Sequence, residues 1–261
     1  MSREPAVKSA TRVFEILEQF REARRPLCLS DIAEKGRYPI SSTAALLKSM
    51  TSQGYLSFGA SSRTYMPTVR LQNLVSWVST VSWERGPVLE AMEELRESTG
   101  ELVVLATIND VHAEYVEACR STQAVQLWSP PGTKRPLVQS GPGWMLLSRL
   151  PPRLIEKVYR RTVALSEISE VEFPLDALQV RVDACRMAGS VFASDTDFVR
   201  STVHRGGGMI SMLVPEAPGQ RPLAIGVGGP RERLAAHQEE ITAALDRTVR
   251  HLERAAGALS L

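Results

Sequence analysis

A chain of 261 residues is too long for one small module and fits one large or two modest domains. Apolar residues make up 43% and charged residues 23%, the balance of an ordinary folded protein with its own buried core. No apolar run approaches the roughly 20 residues of a membrane helix, and Met1 to Ala10 lacks the apolar stretch of a signal peptide. Cys28, Cys119 and Cys185 are odd in number, far apart and in no zinc or redox spacing. The expectation is a cytoplasmic protein with reduced thiols, no membrane contact, no metal and no cofactor. The net charge of +2 is unevenly spread. Residues 1–70 carry 11 Lys and Arg against 6 Asp and Glu, and the rest carries 20 against 23. A basic segment on a mildly acidic remainder points to a polyanion at one end.

In chain order, Val13, Ile16, Leu17 and Phe20 make one apolar stripe on a helix from about Ser9 to Glu22. Ser30 is placed to cap a short second helix carrying Ile32 and Ala33, and Gly36 to end it. Pro39 prevents continuation. Ser41 and Ser42 then open a third helix, with Leu46, Leu47 and Met50 inward and Gly54 at its end. Two such helices across a short turn form a helix-turn-helix, whose second helix enters the major groove N-terminus first. Small hydroxyl residues there bond phosphates or bases and permit close approach, so Ser41, Ser42 and Thr43 are candidate groove contacts. Tyr55–Phe58 and Thr64–Met66 read as two strands around a turn of small residues. A hairpin after a recognition helix is a wing, and Arg63 at its tip is within reach of phosphate or minor groove.

Leu71, Leu74, Val75 and Val78 mark a further helix from about Val69 to Trp83, and Val88, Leu89, Met92 and Leu95 one from Pro87 to Ser98. The period then changes. Strands are expected at Leu102–Ile108, Ala113–Cys119 and Ala124–Trp128. Helices follow at Gly143–Arg149, Pro152–Tyr159 and Leu175–Ala188. Strands return at Ser190–Ser194, Met209–Val214 and Leu223–Val227, before a terminal helix from Glu232 to Ala256. Strands, helices and strands again without a βαβ repeat indicate an α+β fold with an antiparallel sheet.

The order of these motifs resembles the IclR family of bacterial transcription regulators over nearly the whole chain. The N-terminal resemblance rests on Ser30-Asp-Ile-Ala33, Tyr38-Pro-Ile-Ser-Ser-Thr43, Leu46-Leu47, Gln53-Gly-Tyr-Leu56 and Arg63-Thr-Tyr65. The C-terminal resemblance rests on Gly132-Thr-Lys-Arg-Pro-Leu137, Gly143 and Ala224-Ile-Gly-Val-Gly-Gly-Pro230. It implies a winged helix-turn-helix over 1–68, a linker helix over 69–85 and a GAF-like effector-binding and oligomerisation domain over 86–261. It also implies an operator DNA partner, a small organic acid effector, and a homodimer or dimer of dimers, with Trp77 and Trp83 as candidate dimer anchors. The family's basic or histidine pair before Leu46-Leu47 is Ala44-Ala45 here. That departure shifts the electrostatic load to Arg37 and Lys48.

The family's acid site lies between the sheet and the loop entering the Gly-led helix, here Gln139 to Gly143. Ser140 and Gly141 are candidate donors; Pro142 has no N–H. Where the family has His, Lys, a cysteine and two serines, this chain has Val138, Trp144, Gly208, Gly226 and Gly228. Polar groups are lost and space is gained, which predicts a larger, more apolar acid, aromatic or cyclic. Trp128 or Trp144 would form a wall, and Asp195 and Ser211 would supply the polar contacts. In a second reading tryptophan fills the pocket and nothing binds. An enzyme is disfavoured: Arg205-Gly-Gly-Gly208 lacks the rest of a phosphate loop, no nucleophile elbow occurs, and His112, His204, His237 and His251 have no metal spacing. The alternative to a DNA-binding regulator is a small-molecule-binding or interaction module with degenerate DNA contacts.

Overall fold

The computed structural model describes residues 7–74, 85–199, 205–215 and 221–258. The chain divides into two compact units, Met1–Val81 and Ser82–Leu261. The middle of the expected linker helix, with Trp77 and Trp83, lies outside the described residues.

The first unit contains α1 (Lys8–Ala23), β1 (Leu27–Cys28), α2 (Leu29–Gly36), α3 (Ile40–Ser52), β2 (Leu56–Gly59) and β3 (Thr64–Pro67). Ile16, Phe20, Leu27, Ile32, Leu47, Met50 and Leu56 form its core. The expected elements are present, with corrected ends. Cys28, not Ser30, is the residue before α2, because Leu27–Cys28 is drawn into a sheet of order β1-β3-β2. Arg37, in the left-handed region at φ 53°, closes α2. Gly36 is needed one residue earlier, where any Cβ would strike the Tyr38 ring. Pro39 precedes α3, so Ile40 rather than Ser41 begins it. The turn between β2 and β3 puts Arg63 at φ 52° on an exposed tip.

The second unit contains α4 (Arg85–Thr99), β4 (Leu102–Asn109), β5 (His112–Cys119), β6 (Lys134–Pro136), α5 (Gly141–Ser148), α6 (Pro152–Ala164) and α7 (Leu175–Ala188). It continues with β7 (Ser190–Ser194), β8 (Gly207–Leu213), β9 (Leu223–Pro230), α8 (Arg231–Ala236) and α9 (Gln238–Ala258). Six strands form one antiparallel sheet in the order β6-β5-β4-β9-β8-β7. Leu102, Val104 and Ala106 join the core that contains α5, α6 and α7. Val103 and Leu105 join the core that contains α4 and α9. Strand side chains alternate between faces, and both faces are covered here, so β4 is apolar at every residue from Leu102 to Ala106 rather than at every second one.

Two expected elements are corrected. Ala124–Trp128 is not a strand; the third strand is β6, whose Lys134–Pro136 pairs with His112–Glu114. Residues 124–128 run without a ladder, and the Val125 carbonyl accepts instead from Arg233. The terminal helix is interrupted at His237, where φ −115° and ψ 22° separate α8 from α9.

Candidate functional site

In the first unit, α3 turns Thr43, Leu47 and Met50 inward and leaves Ser41, Ala45 and Lys48 exposed. Thr43 is removed from the groove contacts. It is 0% exposed, and its hydroxyl donates to the Pro39 carbonyl at 3.0 Å. Ser42 is half-buried, donates to the same carbonyl at 3.0 Å and accepts from Arg12 Nη1 at 3.4 Å. The Arg12 guanidinium also lies 4.9 Å from the centre of the Tyr38 ring. Burial, with the Glu15 carboxylate against the hydroxyl, pushes the Tyr38 phenol up to about 12, so it stays a donor at any working pH. Arg37, Lys48 and Arg63 are exposed and have no ion-pair partner among the described residues. By contrast, Arg21, Arg25 and Lys35 pair with Glu18, Asp31 and Glu22.

In the second unit, a narrow cleft of about 30 Å³ opens beside the start of α5. Its walls include Tyr115, Arg135, Ser140, Gly141, Phe198, Met209 and Gly228. Ser140 caps α5: its hydroxyl accepts from the Gly143 N–H at 3.2 Å and donates to the Pro136 carbonyl at 2.9 Å. That leaves the Gly141 N–H, at the first helical position, pointing out of the helix without an intrahelical partner. Gly143 is there for packing, since a Cβ would lie 2.2 Å from the Leu137 carbonyl.

Several expected pocket residues have other roles. Trp144 is a core residue: it is 1% exposed, its Nε1 donates to the Val138 carbonyl at 2.9 Å, and its ring lies 5.3 Å from that of Phe198. Phe198, not Trp144, faces the cleft. Trp128 packs on the core with the Arg120 guanidinium 5.4 Å from its ring centre, while its neighbours Leu127 and Ser129 line the cleft. Asp195 is engaged by the Gly206 N–H at 2.8 Å and Arg231 Nη1 at 3.1 Å. The space at Gly226 and Gly228 is taken by Met209, whose Sδ and Cε would lie 2.7 and 2.8 Å from a Cβ at those positions. Ser211 is fully buried beside Gly141 and Gly226, and its Oγ has no partner among the described residues.

Of the cleft residues that escaped the sequence, two carry ionisable groups. Arg135 is the cation among the described cleft-lining residues, and among the described residues its buried Nε has no hydrogen-bond partner. Tyr115 stands beside it. Burial pushes the Tyr115 phenol up, and the Arg135 charge and a hydrogen bond with its guanidinium pull the other way. The signal lay within Gly132–Leu137, where Arg135 alternates with Lys134 along an edge strand: one exposed, one turned in. Burial also raises the Cys119 and Cys185 thiols, to about 12 and about 11, which leaves them poor nucleophiles. Among the described residues no group of His, Cys, Asp and Glu could hold a metal, and no helix is long and apolar enough to cross a membrane.

The architecture has known counterparts. The family model of the IclR helix-turn-helix domain matches residues 9–58, and that of the bacterial transcriptional regulator IclR C-terminal domain matches residues 87–254. The chain belongs to the IclR family. Among curated IclR relatives, the acetate operon repressor of Salmonella typhimurium is 26% identical over 167 residues. The transcriptional repressor IclR of Escherichia coli is 25% identical over the same length. Each match takes in 59% of this chain and 57% of the relative, little more than half of either protein. Among solved structures, the effector domain of a putative IclR regulator from Acinetobacter is 28% identical, with a TM-score of 0.57, over 65% of this chain and 95% of that one. An IclR homolog from Microbacterium hydrocarbonoxydans, complexed with 4-hydroxybenzoate, has a TM-score of 0.70 at 22% identity, over 96% of this chain and 99% of that one. The latter likeness concerns the fold.

Proposed function

We propose that this protein is a DNA-binding transcription regulator whose second unit takes a small aromatic or cyclic carboxylic acid in the Arg135 cleft, and that the bound acid changes its affinity for operator DNA. The observation that carries the reading is the buried, unpartnered Nε of Arg135 in an otherwise largely apolar cleft. A guanidinium donor without a partner is costly to bury, and a carboxylate satisfies it in fork geometry. The Gly141 N–H at the start of α5 is a second donor for the same anion. Met209, Phe198 and Leu102 supply the apolar walls. The narrow free space means that Met209, flexible and polarizable, has to move aside for a ring. The ligand named for the Microbacterium homolog, 4-hydroxybenzoate, has this combination of carboxylate and ring.

On the DNA side, α3 enters the major groove, with Ser41 and Ser42 at its start, Arg37 and Lys48 on phosphates and Arg63 at a phosphate or in the minor groove. A homodimer, or a dimer of dimers, would address half-sites roughly 34 Å apart or a multiple of it. Regulation then needs only that the acid bind two arrangements of the protein unequally.

The test is fluorescence anisotropy on the DNA upstream of the protein's own coding region, at two salt concentrations and with a panel of carboxylic acids. Specific binding should survive competitor DNA and weaken steeply with salt, and Lys48→Ala should reduce the salt slope by about 0.9 for each phosphate no longer neutralised. An aromatic acid should shift the affinity. Binding abolished by competitor would transfer the winged helix to a protein partner.

A further inference from the structure

The outward face of α3 is unusual in what it lacks. Between Ile40 and Ser52 there is no Arg, Asn, Gln, His, Asp or Glu. Those side chains, with Lys, make the paired hydrogen bonds that distinguish bases in the major groove. The hydroxyls are largely committed as well. Ser42 and Thr43 donate to Pro39, Ser49 to Ala45, Thr51 to Leu47 and Ser52 to Ser49, all to backbone carbonyls at 2.8–3.0 Å. Lys48 is about 12 Å along the axis from Ile40, past the first turns that meet base edges. What the start of the helix presents is Ile40, 62% exposed, then Ser41, Ala44 and Ala45.

An exposed isoleucine at the first helical position, followed one turn later by two alanines, is a poor surface for phosphate and a good one for methyl groups. The methyl group in the major groove belongs to thymine. We propose that the reading head selects its site by apolar contact with thymine C5-methyl groups, through Ile40, Ala44 and Ala45, and not by paired hydrogen bonds. Small side chains at 44 and 45 let the helix approach closely enough for those contacts. Arg63, unpaired at the wing tip, suits the narrow minor groove of neighbouring A·T steps. This proposal rests on the DNA-binding reading above.

The experiment selects a site with the full-length protein from a random-sequence duplex library. The best site is then rebuilt with deoxyuridine replacing each thymine in turn. Deoxyuridine keeps every hydrogen-bonding atom and loses only the methyl. Anisotropy should show binding about fourfold weaker for each thymine that the helix touches, the worth of one buried methyl. Ile40→Ala, on an exposed position, should leave the melting temperature unchanged and cut the loss at one thymine to under twofold. Deoxyuridine sites that all bind within twofold of the parent would overturn methyl reading while leaving DNA binding intact. A library that enriches nothing would remove the DNA-binding reading itself, and this proposal with it.

Discussion

Around the reading helix, polar side chains are satisfied locally: Ser42, Thr43, Ser49, Thr51 and Ser52 all bond backbone carbonyls of α3 or of Pro39 before it. One buried orphan, Gln19 Oε1, lies in this unit, on the side of α1 facing α2. The cleft region of the second unit is built differently. Among the described residues, Arg135 Nε in the cleft wall and Ser211 Oγ beside Gly141 are buried and unpaired, as are Gln139 Nε2 and, outside the cleft walls, Glu167 Oε2. Buried polar groups are nearly always paired, so an unpaired donor in a cleft wall marks where a partner is missing. A surface that meets a large, wet polyanion carries exposed charges and needs no stored polarity. A cleft that must recognise a few atoms holds its donors in advance.

That contrast can be broken most severely at the buried charges. Glu101 is 2% exposed and takes both its bonds from Arg233. Arg233→Met strands this carboxylate and should cost the second unit about 3 kcal/mol or more in thermal or urea unfolding. A loss under 1 kcal/mol would mean that paired and unpaired polar groups weigh alike there. Ser211→Ala, by removing an unpaired hydroxyl, should have the opposite sign and stabilise the ligand-free protein by about 1 kcal/mol. Destabilisation of that size would reveal a partner for Ser211.

In the reading unit, Thr43→Val should cost about 1 kcal/mol because its hydroxyl is bonded and enclosed, whereas Ser41→Ala should leave unfolding unchanged and act only on DNA affinity. Matching effects on stability would put Ser41 and Thr43 on the same face and contradict the orientation of α3. The smallest effect concerns Asp110, whose carboxyl is held below its usual value chiefly by the hydrogen bond from Arg161. A depressed carboxyl stabilises above its unfolded pKa and loses that contribution as pH falls through the folded value. The pair is half-exposed, so Arg161→Met should lower stability only slightly at pH 7. The difference should vanish at the acid end, and a gap that widened on acidification would contradict the pairing.

Much of the fold was legible because periodicity reports burial. The stripe at Val13, Ile16, Leu17 and Phe20 located α1 to within a residue or two, and α7 matches its expected span. Strand Ala124–Trp128 was misread because an apolar alternation need not find a ladder; this stretch skirts the cleft instead. The site was less legible, because side-chain direction decides it. Thr43 and Ser41 are two residues apart on one helix and face opposite ways. Gly226 and Gly228 looked like added space, yet space in a packed interior is filled by whatever faces it, here Met209. Arg135 was passed over within a basic run because only the pleat of β6 separates an inward cation from a solvated one.

The most direct test of the account is anisotropy of the protein on its upstream DNA, titrated with 4-hydroxybenzoate and benzoate, for the natural chain and for Arg135→Met. A carboxylate held by Arg135 should give an acid-dependent change in DNA affinity whose midpoint moves at least about tenfold higher in Arg135→Met, the loss of one charged hydrogen bond, with DNA binding in the absence of acid unchanged. An equal response of both proteins to the acid would contradict it, since the carboxylate would then be held somewhere other than at Arg135.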